Sequence, residues 1–87
     1  MYTVYAIYNQ ESKKVYIGQA KDVTERLRLH NKHTFKSYTS RFPGKWELIY
    51  KESVATRQEA LAREKQLKSH RGRDFLKQFI PQPGDPE

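Results

Sequence analysis

The amino-acid sequence predicts an α+β domain in which a small three-stranded sheet, mixed or antiparallel, is flanked by about three helices. Segments rich in β-branched and aromatic residues alternate with segments of helical periodicity, in the order strand, strand, helix, loop, strand, helix, helix. That order is typical of a small layered α+β fold. The 87 residues are enough for one domain, which we expect to span residues 1–80 before a proline-rich tail at 81–87.

Three segments have the composition of β-strands. Tyr2 to Asn9 and Val15 to Gln19 are rich in Tyr, Val and Ile, which suit a half-buried pleated surface. The short polar segment 10–14 between them predicts an antiparallel hairpin. Trp46 to Glu52 predicts a third strand, after a long loop at residues 31–45 that has no clear period.

Three further segments predict helices. The first spans Asp22 to His30, with Asp22 as its N-cap. The second spans Thr56 to about Ser69 and opens with a capping box, Thr-x-x-Glu. Gly72 is expected to break the helical pattern before a last short helix from Asp74 to Phe79.

The charge of the chain favours a polyanionic partner. Lys and Arg number 17 against 10 Asp and Glu, a formal net charge of +7, and each phosphate neutralised by such a surface releases counterions. A surface that is basic only for solubility is the alternative. The chain has no cysteine, no apolar run long enough to span a bilayer and no signal-peptide pattern. We therefore expect a soluble, cytoplasmic protein that does not associate with membranes.

Two charged residues lie where helical periodicity asks for apolar ones. Glu64 falls within a stripe formed by Ala60, Leu61 and Leu67, and Arg26 lies on or near the inner face of the first helix. A buried charge is unfavourable unless it is paired, hydrogen-bonded or bound to a metal. The alternative for Glu64 is an ordinary ion pair with a lysine four residues later, or a position at the edge of the stripe.

Tyrosines are the other unusual feature, because several of the six fall in the first hairpin. Most of them suit a strand without any further role. A Tyr, an Arg and a Glu that converge would form a credible set for phosphodiester chemistry, as proton carrier, phosphate ligand and metal ligand. The histidines are not spaced as a zinc site, and the chain has no glycine-rich phosphate loop, G-x-S-x-G or C-x-x-C motif.

Five short motifs, in this order along the chain, resemble the GIY-YIG nucleases. The resemblance covers nearly the whole chain and is to the small standalone form related to the N-terminal domain of the excision-repair incision protein. The motifs are Thr3-Val4-Tyr5 in place of Gly-Ile-Tyr, Tyr16-Ile17-Gly18, Arg26 followed by His30-Asn31, Trp46-x-Leu48-x-Tyr50, and Glu64-Lys65-x-Leu67-Lys68.

The resemblance implies a metal-dependent endonuclease that hydrolyses phosphodiester bonds in DNA, with single-stranded or structured DNA among its substrates. Glu64 would bind one Mg²⁺ or Mn²⁺ and Arg26 would bind the phosphate, with no small-molecule cofactor. Tyr16 would accept a proton from the attacking water, with Tyr5 in a supporting hydrogen bond, although the two roles could be reversed. His30 would bond to a tyrosine or to the phosphate.

Substrate contacts are expected around the site and in the loop that follows the first helix. Basic and aromatic side chains alternate in that loop, as in surfaces that track a nucleic-acid backbone and stack on bases. The expected substrate-binding residues are Gly18, Lys21, Lys32, Lys36, Tyr38 and Arg41. A non-catalytic nucleic-acid-binding module on the same fold is the main alternative function, and a subunit that tethers a partner protein is another.

Overall fold

The computed structural model describes residues 1–31 and 44–81, and these form strands and helices in the predicted order. The helices and strands are β1 (Tyr2–Asn9), β2 (Lys14–Ala20), α1 (Val23–Asn31), β3 (Trp46–Val54), α2 (Arg57–Lys68) and α3 (His70–Lys77). Most of the predicted loop and most of the predicted tail lie outside the described residues. The domain boundary at residue 80 therefore stays a prediction.

The sheet is three-stranded and antiparallel, with the strand order β2-β1-β3. In the hairpin, Tyr5 lies opposite Gly18 and Ile7 lies opposite Tyr16. Between β1 and β3 the register shifts after Ala6, which pairs with Tyr50 while the next residue pairs with Leu48. β1 is the central strand and residues 4–9 are buried, whereas β2 has one neighbouring strand among the residues that the structure describes.

The two faces of the sheet pack against different helices. Because successive side chains of a strand point to opposite faces, Val4 and Ala6 join the core under α2 and α3, together with Ala60, Leu67 and Leu76. Tyr5 and Ile7 join the core under α1, together with Trp46 and Ala20. The described helices thus cover both faces of the sheet, α1 on one face and α2 and α3 on the other.

The prediction that Gly72 breaks the helical pattern is wrong. The break lies at Ser69, whose N–H donates to the Gln66 carbonyl at the end of α2 and whose hydroxyl accepts from the Gly72 N–H at the start of α3. Gly72 is buried inside α3, and a Cβ there would lie 2.4 Å from the Leu67 Cα. The glycine allows α3 to approach α2 closely, and α3 begins before Asp74.

The predicted caps of the other two helices are confirmed. Asp22 Oδ1 accepts from the Glu25 N–H at 3.1 Å, and Thr56 Oγ1 accepts from the Glu59 N–H at 3.2 Å. Each bond satisfies one of the N–H groups that have no partner in the first turn of a helix. Within residues 1–31 and 44–81, no helix has the length and apolar character needed to cross a membrane.

Candidate active site

Two tyrosines and a histidine form a compact cluster between the hairpin and α1. The Tyr5 hydroxyl lies 2.9 Å from His30 Nε2, within hydrogen-bonding distance. The Tyr16 ring centroid lies 5.0 Å from that of His30 and 6.3 Å from that of Tyr5. Tyr5 and His30 are 2% and 3% exposed, whereas Tyr16 is only partly buried. The cluster therefore presents Tyr16 to the solvent and keeps the other two groups inside.

Gly18 is required at its position by close approach of the two tyrosines. A Cβ at this residue would lie 3.0 Å from both Tyr16 Cε1 and the Tyr5 hydroxyl oxygen. Both distances are shorter than ordinary van der Waals contact. The glycine of the Tyr-Ile-Gly motif thus provides the space in which the two tyrosines meet.

The cluster is electrostatically coupled to Arg26 and Glu64. Burial raises the pKa of Tyr5, the neighbouring Tyr16 and Glu64 raise it further, and Arg26 lowers it. Burial also lowers the pKa of His30, and the positive charge of Arg26 adds to this effect. At neutral pH, Tyr5 is therefore a protonated phenol beside an uncharged imidazole.

Arg26 lies on α1 with its side chain exposed to solvent. The prediction that Arg26 lies on the inner or near-inner face of the helix is therefore wrong, because the face that packs on the sheet is formed by Val23 and Leu27. Its charge nevertheless acts on both Tyr5 and His30. An exposed guanidinium beside a buried tyrosine–histidine pair offers a planar fork of donors that matches phosphate oxygens.

Glu64 lies on α2, at the opposite side of the β2 edge. The predicted apolar stripe is not continuous, because Leu61 is 46% exposed and only Ala60 and Leu67 enter the core. Glu64 Oε2 accepts from Lys68 Nζ at 2.8 Å, so the ordinary i, i+4 ion pair is present. The Glu64 side chain is 20% exposed, and its charge also acts on the Tyr5 hydroxyl.

The donor set suits a hard cation with few protein ligands. Residues 1–31 and 44–81 contain no group of three or more His, Asp or Glu side chains that could bind a metal together. A single carboxylate such as Glu64 fits Mg²⁺, which keeps most of its water and often binds through one or two carboxylates plus substrate phosphate. Lys68 would compete with the ion for one oxygen of that carboxylate.

The predicted substrate-binding residues are only partly described. Gly18 lies between the tyrosines, and the Lys21 ammonium lies 5.6 Å from the centroid of the Tyr2 ring. Lys32, Lys36, Tyr38 and Arg41 lie outside the described residues. Their contacts with substrate stay predictions.

Sequence reasoning missed the positioning role of Asn31. Its side-chain amide donates to the Trp46 carbonyl at 3.1 Å, and its Oδ1 accepts from the Trp46 N–H at 2.6 Å. The end of α1 is thereby attached to the start of β3, one residue after His30. The signal available in the sequence was an asparagine directly after His30, but its bonding to the Trp46 backbone depends on the fold.

A family model described as the GIY-YIG catalytic domain matches residues 1–78. The chain belongs to the GIY-YIG family. A nuclease-type function follows in general terms, and members of this family generally use divalent metal ions. The nucleic-acid substrate that the family implies agrees with the net charge of +7.

Individual relatives of this GIY-YIG chain belong to a group of proteins named UPF0213. Two UPF0213 proteins from strains of Staphylococcus epidermidis are 41% identical to it over 64 residues, which cover 72% of this chain and 76% of theirs. The solution NMR structure of a UPF0213 protein from Bacillus halodurans is also similar. It matches with a TM-score of 0.52 and 26% identity, over 95% of this chain and 89% of that one.

Proposed function

We propose that this protein is a metal-dependent endonuclease that hydrolyses phosphodiester bonds in DNA, including single-stranded or structured DNA. The observation that carries the proposal is the packed cluster in which the Tyr5 hydroxyl lies 2.9 Å from His30 Nε2 and the Tyr16 ring lies beside both. The charges of Arg26 and Glu64 also act on the Tyr5 hydroxyl. A proton carrier, a phosphate ligand and a carboxylate thus act on one small volume, which is the combination that phosphodiester hydrolysis needs. The net charge of +7 favours a polyanionic substrate.

The two tyrosines have different parts in this proposal. Tyr5 is buried and its pKa is raised, so it acts as a protonated phenol that fixes His30 and the packing of the neighbouring ring. Tyr16 is partly exposed and can reach an attacking water, so we assign it the proton-accepting role. The hydrogen bond between Tyr5 and His30 keeps the cluster in one arrangement.

Arg26 would hold the phosphate and Glu64 would hold the metal ion. The planar guanidinium offers a fork of donors that matches two phosphate oxygens. Glu64 would bind one Mg²⁺ or Mn²⁺ with a single carboxylate, and the bound ion would supply positive charge that stabilises the leaving oxygen. The Lys68 ammonium, released from the carboxylate, would then be free to contact phosphate.

A non-catalytic nucleic-acid-binding module is the second candidate function. The ion pair between Lys68 and Glu64 favours it, because a carboxylate already paired with an ammonium has less need of a metal ion. The two candidates differ in what Glu64 does. In a nuclease its removal stops cleavage, whereas in a binding module its removal only frees a positive charge for phosphate.

The deciding experiment is a cleavage assay on end-labelled single-stranded, duplex and branched DNA, with Mg²⁺, Mn²⁺ or EDTA. We expect metal-dependent cleavage by the wild type, loss of cleavage in Glu64→Gln and unchanged or tighter DNA binding in that variant. Glu59→Gln is the matched control, because Glu59 is an exposed carboxylate on the same helix. Binding without cleavage of any substrate would favour the binding module, and full activity of Glu64→Gln would remove Glu64 from the metal site.

A further inference from the structure

A groove of about 580 Å³ runs between β2 and α3. Its floor is aliphatic, with Ile17 from the strand and Leu76 from the helix, and Tyr16 forms part of its wall. Its basic lining residues come from the hairpin turn, from α2 and from α3, and they are Lys13, Lys14, Lys68, Arg73 and Lys77. No carboxylate is among the described residues that line it.

The basic residues of this groove are only partly neutralised. Lys68 pairs with Glu64 at 2.8 Å and Lys77 pairs with Asp74 at 3.2 Å. Lys13, Lys14 and Arg73 are exposed. Among the residues that the structure describes, none forms an ion pair with these three. Their charges are therefore available to a ligand, at two opposite walls of the same groove.

Lys13 has an unusual backbone conformation for its residue type. Its φ is 57°, in the left-handed region that glycine and asparagine tolerate far better than lysine. The turn is fixed by the Lys13 N–H, which donates to the Asn9 carbonyl at 2.7 Å. A lysine in a conformation that disfavours it, at the rim of a basic groove, is consistent with a use for its charge.

The groove is continuous with the candidate active site. Tyr16 and Lys68 line it, and they are also the solvent-facing tyrosine and the partner of Glu64. Tyr16 follows Lys13 by three positions along the chain, which span at most roughly 10 Å at about 3.3 Å per residue. A strand whose scissile phosphate lies at Tyr16 would therefore bring its next few nucleotides past the hairpin turn.

We propose that a single strand of nucleic acid lies along this groove, on one side of the bond to be cut. Its phosphates would contact Lys13, Lys14 and Arg73, and its sugars or bases would lie on the aliphatic floor. Single strands suit a cationic groove with an apolar floor, whereas a duplex presents mainly phosphates and keeps its bases stacked inside. The proposal rests on the proposed endonuclease function, because the groove leads to the same site.

The test measures binding in EDTA, where cleavage does not interfere. Fluorescence anisotropy with a labelled 12-nucleotide single strand, over a range of salt concentrations, compares Lys13→Asn and Arg73→Gln with the wild type. Lys51→Asn on β3 and Arg71→Gln on α3 are matched controls, because both residues are exposed and neither lines the groove. Each groove variant should weaken binding about fivefold at low salt and reduce the salt slope by about 0.7.

Thermal melting separates a loss of binding from a loss of folding. Asparagine tolerates the left-handed conformation better than lysine, so Lys13→Asn should melt at or above the wild-type temperature while it binds less tightly. The 12-nucleotide duplex should bind more weakly than the single strand and should lose less affinity in both variants.

Every other result of these binding and cleavage tests contradicts one specific part of the proposal. Groove variants that bind like their controls, or a protein that binds no strand, would overturn the groove as a binding site. Equal effects on duplex and single strand would mean that the groove binds phosphates of either form, which would overturn its assignment to a single strand. If Glu64→Gln abolishes cleavage while the groove variants bind normally, only the groove is wrong. If the groove variants lose binding but the wild type cleaves nothing, only the endonuclease function is wrong.

Discussion

Replacing Gly18 with alanine adds one methyl group at the point where the two tyrosines meet. The new Cβ would lie 3.0 Å from both Tyr16 Cε1 and the Tyr5 hydroxyl oxygen, and 3.1 Å from Tyr5 Cζ. Tyr5 is fully packed and bonded to His30, so the more exposed Tyr16 ring should give way. A few tenths of an ångström would restore ordinary contact at each site.

The estimated energies predict that Gly18→Ala changes the rate of cleavage more than it changes the free energy of unfolding. Overpacking by one methyl group costs about 1–3 kcal/mol, and the loss of glycine's flexibility in the unfolded chain offsets about 0.5–1 kcal/mol of that. The net destabilisation should therefore lie between about 0 and 2.5 kcal/mol. Displacing a reacting group by a fraction of an ångström to an ångström can slow a reaction by up to about a hundredfold. Cleavage by Gly18→Ala should fall by about ten- to a hundredfold.

The assay pairs urea denaturation with single-turnover cleavage, and Ile49→Val is the control. Ile49 lies on β3, packs on the other face of the sheet, under α2 and α3, and does not line the groove. Its truncation should cost about 0.5–1.5 kcal/mol, which is similar to the alanine variant, but should leave the tyrosines in place. If both variants lose activity equally, the effect follows stability and the close approach at Gly18 has no catalytic meaning.

Substitutions at three further residues test the charges and contacts around the site. Arg26→Lys should slow cleavage by about a hundredfold, because lysine lacks the fork of donors, while DNA affinity and melting temperature change little. A large fall in the melting temperature would instead mean that Arg26 has a structural role. Burial and the charge of Arg26 lower the pKa of His30 below its ordinary 6.5, so the unfolded chain binds that proton more tightly than the folded chain does. The free energy of unfolding should therefore be retained above about pH 6.5 and fall as the pH drops below that value. His30→Gln should remove that part of the pH dependence in denaturant titrations, and an unchanged slope would contradict the assignment. Asn31→Ala loses both bonds to the Trp46 backbone and should lower the unfolding free energy by about 1–3 kcal/mol, whereas Asn31→Asp keeps the acceptor and should recover part of it.

Local sequence signals predicted the strands and caps well because the interactions involved are local. β1 spans the predicted residues 2–9, because the aromatic and β-branched side chains that favour a strand lie within that segment itself. Ser69 and Gly72 show where local signals end. A glycine after a helix usually indicates a stop, but here the stop comes from the Ser69 caps and the glycine is needed by the packing of α3 on α2. That contact cannot be read from the segment itself.

The site was predicted for reasons that the structure only partly supports. Periodicity singled out Arg26 and Glu64 as misplaced charges, yet Arg26 is exposed and Glu64 is paired with Lys68. The resemblance to a family, rather than the burial argument, joined them to the tyrosines. His30 was expected to bond to a tyrosine or the phosphate, and the bond to Tyr5 is present. Which tyrosine bonds to His30, and at what distance, depends on how α1 crosses the sheet, and the local sequence does not encode that crossing.

The edge position of β2 explains how so small a sheet can assemble this site. Tyr16 faces the α1 layer, while Glu64 lies on α2 in the opposite layer. In the interior of a sheet these groups would be separated by a hydrogen-bonded neighbouring strand. Among the described strands, β2 pairs with β1 alone, so under the proposed function a phosphate at its other edge would contact groups from both layers without crossing the backbone. A further strand paired to β2 would prevent the same residues from meeting a common substrate.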